Sequence, residues 1–192
     1  MGKDIKGELE VITGPMFSGK SSELIRRIRV ANIADQRVII FKHSIDDRYD
    51  EEHITTHDGE KIKGINVSNV SEILNRLKNV EFDVVAIDEA QFFGEELVSL
   101  CKELVKLKYR VIVAGLDMDF RGEPFAPIPD LLAIADEIVK LKAVCSKCKG
   151  EASLTQRFIG GKYAKYSDPI LVVGAKNKYE ARCRNCHVVE SW

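Results

Sequence analysis

The stretch Glu8-Leu9-Glu10-Val11-Ile12-Thr13-Gly14-Pro15-Met16-Phe17-Ser18-Gly19-Lys20-Ser21 decides the fold class. Its first six residues read as a strand, and the next eight match G-x-x-x-x-G-K-[ST] in full. From about Lys20 to Ala34 the apolar residues Leu24, Ile25, Ile28 and Ala31 recur at helical spacing. A strand, a glycine-rich turn and a helix in that order let main-chain amides curl around phosphate oxygens, with the helix dipole behind them. In such a loop Lys20 is expected on the β- and γ-phosphates of ATP and the Ser21 hydroxyl on Mg²⁺. Gly14, Pro15, Met16, Phe17, Ser18, Gly19 and Ser22 complete the expected phosphate-binding set.

Outward from that motif, strands and helices alternate. Arg37 to Lys42 reads as a strand and Ser71 to Lys78 as a short helix with Ser71 as its cap. Val84-Val85-Ala86-Ile87 is a continuous apolar run of the kind that suits a parallel strand covered on both faces. Glu95 to Lys108 has a helical stripe through Leu97, Val98, Cys101, Leu104 and Val105, which makes Cys101 a core residue. Tyr109 to Ala114 reads as another buried strand, Ile128 to Ala135 as a short helix, and Ile138 to Val144 as one more strand. The polar stretch 43–64, with its Asp58-Gly59 turn signal, reads as a hairpin or loop. The expected fold is an α/β domain of the P-loop NTPase, RecA-like type, a parallel sheet with helices on both faces.

The apolar run ends in Asp88-Glu89. A strand-end acid some seventy residues after a phosphate loop is the requirement of a Walker-B Mg²⁺ site. Asp88 is expected to hold the ion, directly or through water, and Glu89 to accept a proton from an attacking hydroxyl or to orient a water. Gln91 is placed in the same phosphate-side set.

Four of the five cysteines form two pairs, Cys145-x-x-Cys148 and Cys183-x-x-Cys186, separated by 34 residues. Two such knuckles can set four thiolates around a structural Zn²⁺. A redox dithiol or an Fe–S cluster would use the same residues, but neither pair clearly opens a helix, as a thioredoxin-type site would. His187 is a competing ligand on spacing alone. The excursion 149–182 carries Gly160-Gly161, Tyr163, Tyr166, Asp168-Pro169 and the run Ile170-Leu171-Val172-Val173 before Gly174. That run suits either a loop lining that folds over a flat ligand or an ordinary core strand. Domains are expected at 1–140 and at 141–192, the second a β-rich, zinc-ribbon-like lobe.

Net charge is −1, yet residues 140–192 hold 11 Lys and Arg against 4 Asp and Glu. A basic lobe on an acidic body fits an anionic ligand, a nucleic acid or another copy of the chain, and equally a lobe merely solvated by lysines. No run reaches transmembrane length and Met1–Lys6 lacks an apolar signal core, so a cytoplasmic protein without membrane attachment is expected.

Together the motifs resemble the type II thymidine kinase family of cytosolic cellular, bacterial and poxviral enzymes. The residues that carry the resemblance are Gly14 to Ser21, Asp88-Glu89-Ala90-Gln91-Phe92-Phe93, Gly115 to Arg121 with Pro124-Phe125, Ala143 to Cys148, and Gly174 to Cys186. The resemblance implies that Glu89 takes the proton from the 5′-hydroxyl of thymidine as it attacks the γ-phosphate of ATP. It implies a lasso, about 160–178, that reads the base with main-chain groups around Ile170, Leu171, Val172, Val173 and Gly174. It implies Tyr179 on the sugar, Met16, Leu116, Phe120 and Phe125 around the base, Thr155 beside its methyl group, and Cys145, Cys148, Cys183 and Cys186 on structural zinc. A homotetramer, inhibition by dTTP and no nucleic-acid partner are implied as well. The sequence departs from the family at Asn177, where an acidic residue is usual two positions before the tyrosine. Two rivals use the same residues: a P-loop ATPase whose zinc lobe binds nucleic acid, and a non-catalytic nucleotide-binding scaffold.

Overall fold

The computed structural model describes residues 6–45, 53–55, 61–170 and 177–190. In chain order it contains β1 (Glu8–Thr13), α1 (Lys20–Ile33), β2 (Val38–His43), β3 (His53–Thr55), β4 (Lys61–Lys63), β5 (Ile65–Val67), α2 (Val70–Leu77), β6 (Val84–Asp88), α3 (Glu96–Lys106) and β7 (Arg110–Gly115). It continues with α4 (Ile128–Ile134), β8 (Glu137–Lys140), β9 (Ala143–Val144), β10 (Glu151–Ala152), β11 (Leu154–Ile159), β12 (Lys162–Tyr163) and β13 (Asn177–Arg182). A single 3-10 turn, Ala90–Phe92, follows β6.

The main sheet has six strands in the order β5-β2-β6-β7-β1-β8, and every pair in it is parallel. Alternation along the strands sends side chains to two different layers. Ile12, Ile40, Ala86 and Ile112 pack against Leu24, Ile25, Ile28 and Ala31 of α1. Val11, Phe41, Val85, Ile87 and Val113 pack against Ile73 of α2, Leu97, Cys101 and Leu104 of α3, and Leu131 of α4. Helices therefore cover both faces, as the unbroken apolar strands require. Cys101 is fully buried, and burial pushes its thiol up to about 12.

Beyond shifts of a residue or two at element ends, two readings of the sequence are corrected. The cap of α2 is Asn69, not Ser71: its backbone is extended and its side-chain oxygen accepts from the Glu72 N–H at 3.0 Å. The Glu72 carboxylate reaches back to the Ser68 N–H and hydroxyl, which closes the first turn reciprocally. The strand expected over Ile138–Val144 is two strands. β8 ends the main sheet beside β1, while β9 pairs antiparallel with β10. Leu141 donates its N–H to Thr13 at 2.7 Å, the last bond of the β1–β8 ladder, and the chain leaves the main sheet after it. Of the polar stretch 43–64, the described part includes the antiparallel pair β3–β4; the Asp58-Gly59 turn lies outside the described residues.

α1 also buries Arg27, a residue its apolar stripe did not flag. Its guanidinium bonds Glu10 of β1, Glu23 one turn earlier, and Glu137 of β8 at 2.6 Å. Arg110 of β7 meets the same Glu10. Every buried charge in this network has a partner, the condition under which an internal ion cluster is tolerated.

After Cys145 the strands are short: β9–β10, and a second sheet in the order β12-β11-β13. Their apolar core is small, namely Ala143, Cys145, Ala152 and Ala181 with Cys183 and Cys186 against it. So small a core needs a staple to hold.

Candidate active site

The phosphate loop leaves β1, Asp88 closes β6, and Gly115 closes β7 with Leu116 after it. These three neighbouring parallel strands deliver their ends to one edge of the sheet, the edge at which open α/β sheets bind ligands. Gly14 has φ 144°, and a Cβ there would stand 2.4 Å from the Leu141 carbonyl oxygen. No side chain is tolerated at that point, so the glycine is a requirement of the turn. The loop is closed by Lys20, whose ammonium donates to the Pro15 carbonyl at 2.8 Å, and by the Met16 N–H, which donates to the Thr155 hydroxyl at 3.0 Å. Phe17 and Gly19 are exposed, Ser18 and Ser22 half-buried.

Strand parity puts Asp88 on the α1 side of the sheet, where the Ser21 hydroxyl donates to its carboxylate at 3.1 Å. Asp88 is buried, and burial raises its carboxyl above the usual range. The Glu89 N–H, the Ser21 hydroxyl and the charges of Lys20 and Lys42 act against that rise. Lys42 is itself buried and stands opposite Asp88 in the β2–β6 register. A hydroxyl and a buried carboxylate in contact at the mouth of a phosphate loop form a donor set that suits Mg²⁺.

Glu89 is half-buried and has φ 54°, ψ 40°. A left-handed backbone at a non-glycine residue is uncommon and concentrates at functional sites. The Gln91 amide donates to the Glu89 carboxylate at 2.6 Å, and its oxygen accepts from the Leu116 N–H at 3.0 Å. Gln91 is thus a bracket between the end of β6 and the start of the loop after β7. Gly115 makes room for it, since a Cβ there would lie 2.9 Å from the Gln91 oxygen. The sequence placed Gln91 among the phosphate residues; its partners here are Glu89 and Leu116.

Of the residues expected around a base, Phe120 is buried and Leu116, Met16 and Phe125 are half-buried. The Phe125 ring meets Phe92 edge-on with centroids 6.3 Å apart. The aromatic cluster continues to His43, which packs on Phe92 and Phe93 and whose imidazole pKa burial lowers. Thr155 is buried on β11, with its hydroxyl bound to the phosphate loop. Tyr179 is half-buried on β13, opposite Arg157. Ile170 is exposed; Leu171, Val172, Val173 and Gly174 lie outside the described residues. Arg157, which sequence reading passed over, is fully buried and donates to the Pro169 carbonyl at 2.6 Å. Only its position inside the excursion between the cysteine pairs hinted at it. A surface groove of about 540 Å³ between α2 and α3 contains none of these residues.

The ligand atoms of Cys145, Cys148, Cys183 and Cys186 all lie within 4.8 Å of one another, with Cys148 and Cys183 3.6 Å apart. Four thiolates at Zn–S distances of about 2.3 Å have tetrahedral edges of about 3.8 Å, so the cluster fits a closed zinc site. Main-chain N–H groups of Cys148, Cys183 and Lys147 lower the Cys145 thiol to about 6. Crowding by the neighbouring thiols, Cys183 first, raises Cys186 to about 12. A set that cannot ionise together unaided is one that a dication completes. Both pairs sit in turns, and His187 is turned away to the Phe120 carbonyl at 2.9 Å, leaving the cysteines as the donor set.

The thymidine kinase family model matches residues 7–187. The chain belongs to the thymidine kinase family. Among solved structures, this family member is similar to a DNA replication initiation factor at 15% identity and TM-score 0.43, over 70% of this chain and 40% of that one. It is similar to the replication initiator DnaA bound to AMPPCP and single-stranded DNA at 14% identity and TM-score 0.44, again over 70% and 40%. A third is domain III of the Thermotoga maritima replication initiation protein DnaA, at 18% identity and TM-score 0.41, over 72% of this chain and 56% of that one. The chain thus spans less than two thirds of each of these proteins, and at such similarity their ligands say nothing about this kinase family member.

Proposed function

We propose that this chain transfers the γ-phosphoryl group of ATP to the 5′-hydroxyl of thymidine, giving dTMP and ADP. The observation that carries the reading is the contact of Ser21 with Asp88, with Glu89 held one residue beyond it by Gln91. A thymidine kinase family match over residues 7–187 supports the choice of substrate.

Phosphoryl transfer asks the protein for positioning and charge neutralisation more than for covalent chemistry. The amides of Gly14 to Ser21 hold the phosphates, and Lys20 exchanges the Pro15 carbonyl for phosphate oxygens. Ser21 and Asp88 would hold Mg²⁺, which would supply positive charge to offset that of the phosphates. Glu89 accepts the hydroxyl proton, and Gln91 fixes its carboxylate for that task. Met16, Leu116, Phe120 and Phe125 offer apolar surface to a flat base, Thr155 stands beside its methyl group, and Tyr179 faces the sugar. Residues 170–174 read the base edges, and zinc on the four cysteines staples the lobe that carries them.

The same reading extends to a homotetramer in the cytoplasm, inhibited by dTTP, with residues 1–140 and 141–192 as its two domains. Family membership supports these extensions. Among the described residues no helix is long and apolar enough to cross a membrane.

Transfer of radiolabelled γ-phosphate from ATP across a panel of deoxynucleosides tests the reading. Thymidine is expected to be the best acceptor; a protein that hydrolyses ATP at one rate with or without any nucleoside is not this enzyme.

A further inference from the structure

Among the described residues Arg157 is the largest side chain with essentially no exposure. Its Nη1 donates to the Pro169 carbonyl at 2.6 Å, and its guanidinium carbon lies 5.0 Å from the centre of the Phe120 ring. Its Nε and Nη2 are buried without a hydrogen-bond partner, and among the described residues it has no ion pair. Burying a cation on such terms is unfavourable, and a core position would be filled better by an apolar side chain.

A second arginine makes the matching contact. Arg121 donates from Nη2 to the Asp168 carbonyl at 2.9 Å, one residue before Pro169. Its guanidinium carbon lies 5.4 Å from the same Phe120 ring and 4.8 Å from the ring of Tyr166. The Tyr166 hydroxyl in turn bonds Glu123. Two cations from different parts of the chain thus hold consecutive carbonyls, 168 and 169, to one aromatic ring. Arg157 reaches from β11, where its neighbour on the same face, Thr155, holds the phosphate loop.

We infer that Arg157 and Arg121 are positioning residues that fix the Asp168–Pro169 main chain and the Phe120 ring together, and so set nucleoside affinity separately from nucleotide affinity. The inference rests on the proposed function in taking Phe120 as part of the wall around the base. Arg suits the task because a planar guanidinium can lie over a ring and donate in its own plane at once. An ammonium cannot do both.

The test compares the full, zinc-loaded chain with its R157M, R157K and R121M variants. Thymidine KM is expected to rise about tenfold or more in R157M and R121M while ATP KM stays within about twofold. R157K is expected to recover little, whereas a residue needed only for its charge would be rescued by lysine. Without ligand, the amides of Tyr166 and Asp168 are expected to exchange hydrogen faster in both Met variants, with α1 unchanged. Thymidine KM unmoved in both variants, or thymidine and ATP KM raised alike, overturns the inference. If the wild-type protein phosphorylates no nucleoside, the functional reading fails and the exchange arm decides: faster exchange at 166–168 sustains the anchoring, unchanged exchange overturns it. Should R157M fail to fold, R121M, whose side chain is only half-buried, carries the same readouts.

Discussion

On the phosphate side of the proposed site, eight consecutive residues and two strand ends supply almost every group, and most of those groups are main chain. The proposed nucleoside side draws Met16, Leu116, Phe120, Phe125, Thr155 and Tyr179 from separate stretches, and its frame is side-chain contacts across the lobe boundary. His187 on the Phe120 carbonyl, Arg121 on Asp168 and Thr155 on Met16 are of that kind, and Arg157 on Pro169 adds a contact within the second lobe. A local motif of main-chain amides tolerates substitution at most of its positions. An assembly of remote side chains depends on each anchor, and on the four-cysteine cluster beneath it.

That contrast can be broken at several points. The largest effect is expected for Glu89→Ala: kcat with thymidine should fall by about 10²–10⁴ while ATP affinity is kept, since the phosphate loop does not need that carboxylate. Turnover unchanged in this variant would mean that the acid is not the proton acceptor, and a nucleotide-binding scaffold would become the better description. Next is the staple. Cys183→Ser, or chelation of the wild-type protein, should abolish measurable thymidine binding and leave ATP binding nearly intact, read by calorimetry with each ligand. Chelated protein that binds thymidine normally would show the two sides to be independent of the metal.

Gln91→Leu sharpens the comparison on the phosphate side. It frees the Glu89 carboxylate and leaves the Leu116 N–H without its acceptor, and kcat should drop about 10- to 100-fold with both KM values little changed. A rise in ATP KM instead would return Gln91 to the phosphate contacts. The smallest effect is expected at the seam. Thr155→Val removes the acceptor of the Met16 N–H and should cost about 1–2 kcal/mol of stability, measured by denaturant unfolding. Because that bond joins the two sides, both KM values should rise modestly; a change confined to one substrate would show the seam to be one-sided.

Most of the main sheet was legible in the sequence because its strands are apolar on both faces and its helices carry one apolar stripe. β1 begins and ends where the pattern placed it, and the other long elements shift by only a few residues. The misreadings have local causes. Ser71 and Asn69 are both competent caps, and only the extended backbone at 69 decides between them. The split between β8 and β9 reflects two different partners: β8 pairs with β1, more than a hundred residues away, while β9 pairs with β10, and no window along the chain contains both. Arg27 stands outside the apolar stripe of α1, and its partners Glu10 and Glu137 are remote in sequence, so nothing local marks it as buried.

The chain by itself determined the phosphate loop, the acid pair at the end of β6, the two cysteine pairs and the family to which they belong. Each of these is a short run whose spacing alone dictates its geometry. Tertiary structure decided that Gln91 turns to Glu89, that His187 turns away from the cysteines, and that Arg157 and Arg121 converge on Phe120. The physical reason is that a main-chain motif closes on itself within a few residues. A side-chain contact between distant segments exists only after the sheet and the lobe have brought its two ends together.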